Sequence, residues 1–184
     1  MYDNIPISSN DIVFLGDSLT EGFDLPKYFN DAHFRNRGIS GNTTDHINYR
    51  LESIILGKPK QVLLMAGIND LFQGASNAEI IGNMRKIADS LVAGSPATNF
   101  CIQSVLPINE SKMLMDANIN TLIFDLNDGI RRLCKKHDIL FADLHADFLN
   151  NTGQLAAAFT YDGVHLTNQA YAHWAQLILP YLVK

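Results

Sequence analysis

The feature that most constrains this chain is the shape of its apolar runs. Ile12-Val13-Phe14-Leu15 and Val62-Leu63-Leu64-Met65-Ala66 are nearly continuous rather than alternating. A strand apolar on both faces must be covered on both faces, which is the condition of a parallel sheet. Candidate strands fall at Asp11–Leu15, His33–Arg37, Gln61–Ala66, Phe100–Leu106 and Ile139–Asp143. Between them the apolar residues recur with the 3.6-residue helical period. Ile47, Leu51, Ile54 and Ile55 form one stripe, and Ile80, Met84, Ile87, Leu91 and Val92 a second. Ile119, Leu122, Ile123, Leu126, Ile130 and Leu133 form a third, and Ala170, Trp174, Leu177, Ile178 and Tyr181 the last. Ser76 with Glu79 reads as a capping box, Gly94 and Pro96 as the stop of that helix, and Thr167 as an N-cap. Strands alternating with crossover helices imply an α/β three-layer sandwich around a parallel sheet. Leu144–Tyr161 carries neither pattern and reads as a loop.

A length of 184 residues suits one domain, taken here as 1–184, with a sizeable core. A net charge of −5 without a Lys/Arg cluster argues against a nucleic-acid partner. No apolar run approaches the roughly 20 residues of a membrane span. The segment Met1-Tyr2-Asp3-Asn4-Ile5-Pro6 has neither the basic region nor the apolar core of a signal peptide. The chain as given is therefore expected in the cytoplasm, or in the periplasm or medium if it is a mature segment. Cys101 and Cys134 fall in a strand and on a helix's apolar face, and are expected as reduced, buried thiols. No zinc-ligand spacing is present, so neither metal nor cofactor is expected.

The chemistry begins where the first strand breaks, at Gly16-Asp17-Ser18-Leu19-Thr20-Glu21-Gly22. Ser18 then stands at the carboxyl end of a strand, where open α/β sheets keep their ligand crevice. A serine there is also a common helix N-cap. Far along the chain, Asp162-Gly163-Val164-His165 offers a carboxylate and an imidazole three residues apart. Alone that is a turn with an exposed histidine. With Ser18 it supplies nucleophile, base and orienting acid.

Two further stretches accompany these: Asn36-Arg37-Gly38-Ile39-Ser40-Gly41-Asn42-Thr43-Thr44 and Gly67-Ile68-Asn69-Asp70. Taken in order, the four stretches resemble the motif blocks of the SGNH hydrolases, or GDSL esterases and lipases, over nearly the whole chain. The nearest branch resembles acylhydrolases related to platelet-activating-factor acetylhydrolase and to carbohydrate O-acetylesterases. The resemblance implies a flavodoxin-like five-stranded sheet of order 2-1-3-4-5. It implies a triad of Ser18, Asp162 and His165. It implies an oxyanion hole made of the Ser18 and Gly41 amides and the Asn69 side chain.

Asp17 is given a structural hydrogen-bonding role, and Gly38 a turn. Asp70 is read as a turn residue. His33, His46, His137, His145 and His173 read as surface or satisfied core residues. Phe23, Phe72, Phe159 and Tyr161 lie near the motif loops and are candidates for lining the substrate pocket. The expected activity is cofactor-free hydrolysis of short acyl esters through an acyl-enzyme, with a carbohydrate acetyl ester as substrate, by a monomer or homodimer. A lysophospholipase or thioesterase is the alternative within the family. A carbohydrate-binding module that keeps the fold without the chemistry is the alternative outside it.

Overall fold

The computed structural model describes residues 5–113 and 118–183. Five parallel strands pair in the order β2-β1-β3-β4-β5. They are β1 (Ile12–Gly16), β2 (Phe34–Gly38), β3 (Gln61–Met65), β4 (Asn99–Gln103) and β5 (Leu140–Ala142). The helices are α1 (Ser18–Glu21), α2 (Leu25–Tyr28), α3 (Thr44–Arg50), α4 (Glu52–Gly57), α5 (Ile68–Phe72), α6 (Asn77–Gly94), α7 (Ile119–His137) and α8 (Asn168–Ile178).

Side chains alternate across each strand, so one strand feeds two cores. Phe14, Leu63 and Met65 face Phe23, Leu25, Trp174 and Ile178 on the α1, α2 and α8 side. Val13, Leu15, Val62 and Leu64 face Ile47, Ile54, Ile87 and Leu91 on the other. Near the β5 edge Ile102 packs on Ile80, Met84, Ile123 and Ile130. This two-sided burial is why the central strands β1 and β3 are so apolar, whereas the edge strand β2 carries Arg35, Asn36 and Arg37. The two cysteines belong to clusters on opposite faces and are free. Burial pushes both thiols up to about 12.

Four details depart from the periodicity reading. The first stripe belongs to two helices that meet at Leu51, not to one. Val92 and Leu122 point outward, 61% and 41% exposed. β4 stops at Gln103 rather than Leu106. After it, the buried side chain of Asn127 on α7 takes over the backbone of Val105, accepting from its N–H at 2.7 Å and donating to its C=O at 2.9 Å. The fourth is the segment expected to be a plain loop. It is pinned by short 3₁₀ turns at His145–Phe148 and Ala157–Phe159 and by a Leu149–Leu155 bridge, with Phe148 and Leu155 fully buried.

α8 is anchored by polar as well as apolar contacts. Tyr171 donates its hydroxyl to Leu19 C=O at 2.9 Å, and Trp174 Nε1–H bonds Gln103 Oε1 at 2.8 Å. Thr167 caps the helix as its sequence suggests, and Ser76 with Glu79 forms the capping box of α6. No helix of the described residues is long and apolar enough to cross a membrane.

Candidate active site

β1 ends at Gly16, opposite Gly38 of β2 and Met65 of β3. Ser18, Gly41 and Asn69 follow these three strand ends by a few residues, so all three lie at the carboxyl edge of the sheet. The N-cap of α1 is Asp17, not Ser18. Its Oδ1 accepts from Leu19 N–H at 3.0 Å, which leaves the Ser18 hydroxyl out of the helix's own bonding. Asp17 is buried, and burial pushes its carboxyl up to about 7 against the pull of the Leu19 N–H, with the nearby Asp70 charge adding to the rise.

α1 lies unusually close to β2. A Cβ on Gly38 would fall 2.1 Å from Glu21 N, so this glycine permits a backbone approach rather than merely a turn. Beside it the buried side chain of Asn36 donates to Thr20 C=O at 2.7 Å and Phe23 C=O at 2.9 Å. It also accepts from Gly38 N–H at 2.8 Å. A strand residue thus fixes the helix that carries Ser18.

The half-buried Ser18 meets its partner from the far end of the chain. Ser18 Oγ lies 3.1 Å from His165 Nε2, and His165 Nδ1 lies 2.6 Å from Asp162 Oδ2. Asp162 Oδ1 accepts the N–H groups of Val164 at 2.9 Å and His165 at 2.8 Å. Burial opposes ionisation of Asp162, but the His165 ring and the two backbone N–H groups outweigh it and hold the carboxyl below its usual range. An ionised Asp162 only accepts, so Nδ1 carries the proton and Nε2 is left to accept from Ser18. The turn depends on Gly163, which has φ +106 and donates to buried Thr160 Oγ1 at 2.9 Å. Gly163 C=O is taken by Asn109 N–H at 2.8 Å.

Gly41 is exposed with φ +77 in the turn closed by Asn42 N–H to Ile39 C=O at 3.1 Å. Asn69 Nδ2 donates one hydrogen to Asn42 C=O at 3.0 Å, which orients the amide and leaves a second N–H. Asp70 is more than a turn residue. It is buried and accepts from Thr44 N–H at 3.0 Å and from Thr44 Oγ1 at 2.5 Å, tying α5 to the β2–α3 loop. Arg50 braces the same loop, reaching Asn42 Oδ1 at 2.7 Å and the carbonyls of Gly16 and Arg37 at 2.9 Å.

The four aromatic candidates separate. Tyr161 is 67% exposed and its ring lies nearly parallel to the His165 imidazole, 6.1 Å away. Phe23 is fully buried, stacked 4.7 Å from Trp174, and does not reach the cleft. Phe159 packs half-buried against His173 and Phe148, and half-buried Phe72 packs against the α6–α7 core. Both make core contacts, Phe72 from the end of α5 and Phe159 from the 3₁₀ turn at Ala157–Phe159. His46 bonds Thr43 in the cap of α3, His145 lies 3.0 Å from Val105 C=O, and His173 lies 3.1 Å from Asp147 C=O. Among the described residues no three His, Cys, Asp or Glu side chains are grouped to hold a metal ion.

From the sequence, Asn36 and Asn109 have no individual role and Asp70 only a turn. Asp70 is detectable in principle as a polar residue among the apolar positions Ile68 and Leu71. Asn109 carried no such signal.

The model of the GDSL-like lipase/acylhydrolase family matches residues 14–173. The chain belongs to this family. Platelet-activating factor acetylhydrolase IB subunit alpha2 of Gallus gallus is 27% identical over 171 residues, covering 88% of this chain and 71% of that protein. A GDSL-like lipase structure from Bacteroides thetaiotaomicron superposes with TM-score 0.83 at 28% identity, covering 94% of this chain and 87% of its own. A structure from Streptococcus pneumonia described as a platelet activating factor superposes with TM-score 0.86 at 25% identity, over 98% and 87% of the two chains. As a GDSL-like acylhydrolase the protein is an ester-hydrolysing enzyme, and the expected strand order 2-1-3-4-5 is the observed one.

Proposed function

We propose that this single-domain GDSL-like acylhydrolase cleaves short acyl esters, acetyl above all, from carbohydrates through an acyl-enzyme. The observation that carries the chemistry is the unbroken hydrogen-bond chain Ser18–His165–Asp162. Ser18 Oγ attacks the ester carbonyl as its proton passes to His165 Nε2. The resulting imidazolium is stabilised by the ionised Asp162. The tetrahedral oxyanion is met by the Ser18 and Gly41 N–H groups and by the second N–H of Asn69. His165 returns its proton to the leaving alcohol, then takes one from the water that releases the acid. An intact set of these groups is what a binding module without chemistry would not need.

Asn69→Ala is expected to lower kcat by roughly 10²-fold with little change in KM, because its amide meets full negative charge only in the transition state. Steady-state kinetics on 4-nitrophenyl acetate check this. A change in KM alone would place Asn69 on the ground-state substrate instead.

The choice of a short acyl group rests on the burial of Phe23 and the core contacts of the half-buried Phe72 and Phe159, which commit much of these three rings to the core. The relative named an acetylhydrolase points the same way. The sugar side rests on Tyr161, an exposed ring beside the base, where a sugar's C–H face can stack. The reading predicts that kcat/KM falls from acetyl to octanoyl in a nitrophenyl ester series and that acetylated sugars are deacetylated. A site built for lipid gains about 0.8 kcal/mol per buried CH₂ and would show the opposite slope. A steady rise to octanoyl would favour a lysophospholipase or thioesterase.

A further inference from the structure

The β5 edge of the sheet carries a trough that the proposed chemistry does not use. Two cavities of about 390 and 290 Å³ adjoin there, sharing Phe124, His145 and Leu149, between α7 and the segment that follows β5. Phe124 presents a ring that is 67% exposed, and Thr121 sits one turn before it on the same face of α7. Thr152 and Gln154 line it from the segment that follows β5.

These polar groups are held in place. Thr121 Oγ1 donates to Asn118 Oδ1 at 2.9 Å, and Thr152 Oγ1 to Asn150 Oδ1 at 2.8 Å. Gln154 Oε1 accepts from Ser111 Oγ at 3.3 Å, which leaves its NH₂ as a donor. His145 Nδ1 lies 3.0 Å from Val105 C=O and 3.3 Å from Asn127 Nδ2, which leaves Nε2 as the ring's second polar atom. Three of the charged groups lining the trough pair with one another, Arg131 with Asp143 at 2.5 Å and with Asp128 at 3.6 Å, and Glu110 accepts from Asn120 N–H at 2.9 Å. Around the exposed Phe124 ring the trough also presents neutral donors and acceptors from Thr121, Thr152, Gln154 and His145. An open aromatic face beside hydroxyl and amide groups complements a sugar ring with apolar C–H faces and a hydroxyl rim.

The backbone next to the trough is tied to the active-site turn through two hydrogen bonds. Leu155 N–H bonds Ile108 C=O at 3.0 Å, and the next residue, Asn109, holds Gly163 between Asp162 and His165. We infer that the trough is a distal subsite for a neutral oligosaccharide, seating sugar units beyond the one whose ester faces Ser18. This rests on the carbohydrate-ester reading and adds that the substrate is a chain rather than a single sugar.

The test compares acetylated tetrasaccharides of xylose, glucose and mannose with the matching acetylated methyl monosaccharides. At least one tetrasaccharide is expected to exceed its monosaccharide in kcat/KM. Phe124→Ala is expected to remove about tenfold of that advantage through KM, Phe124→Tyr to keep it, and 4-nitrophenyl acetate turnover to be unchanged in both. No length advantage for any of the three, or an advantage untouched by Phe124→Ala, overturns the subsite. Turnover of 4-nitrophenyl acetate with no acetylated sugar cleaved overturns the carbohydrate-ester reading instead. Calorimetry with the unacetylated tetrasaccharides then decides the trough by itself. Binding lost in Phe124→Ala supports it, and no binding overturns it.

Discussion

Replacing Ser18 by alanine is expected to lower kcat on 4-nitrophenyl acetate by roughly 10³-fold or more, with circular dichroism and urea midpoint close to those of the parent. The two halves of that expectation have separate grounds. The hydroxyl is the atom in reach of His165 Nε2, and without it no acyl-enzyme forms. The fold survives because the capping task at the start of α1 belongs to Asp17, and because Ser18 packs at the surface of the core rather than within it. A folded Ser18→Ala protein with near-parental turnover would mean that the nucleophile lies elsewhere.

Asp162→Asn is expected to cost roughly 10³- to 10⁴-fold in kcat, although it changes one atom. The backbone decides which way the new amide faces. Val164 and His165 both donate N–H groups to Oδ1, so the amide oxygen must stay there and the NH₂ must turn toward the imidazole. His165 Nδ1 then has to accept, its proton moves to Nε2, and Nε2 meets the Ser18 hydroxyl as a competing donor. KM should change little, since Asp162 touches no substrate. A variant that keeps full kcat would show that the imidazole is oriented by something else.

The same substitution has a pH signature. The Asp162 carboxyl is held below its usual range in the fold. Its contribution to stability is therefore present above the unfolded value, near 3.9, and is lost as pH falls through the lower folded value. Asp162→Asn should lack that acid-side loss in urea unfolding measured across pH. At neutral pH the variant lacks the same contribution, so a small loss of stability accompanies the fall in kcat.

Much of this was legible in the chain itself. The central strands follow from apolar runs, because parallel strands buried on both faces carry no other pattern. Ser18, Asp162 and His165 stood out because each sits in a short polar motif after an element break. What stayed hidden depended on contacts between segments far apart. No periodicity reveals that Asn127 ends β4 by binding Val105, or that Asn109 holds Gly163. Phe23 was placed near the cleft because it follows the Ser18 motif closely. In the fold the chain turns it inward onto Trp174, a residue 151 positions later in the sequence.

The anchoring of α8 has a consequence for when the enzyme becomes reactive. All five strands are complete by Ala142, yet His165, the base proposed for Ser18, lies 147 residues beyond that serine, on the segment leading into α8. A chain with its sheet formed but α8 undocked holds a serine with no base and therefore an inert hydroxyl. On the proposed mechanism, hydrolysis requires the segment that Tyr171 and Trp174 anchor to be in place. Ester cleavage would then report on the docking of α8 rather than on the sheet.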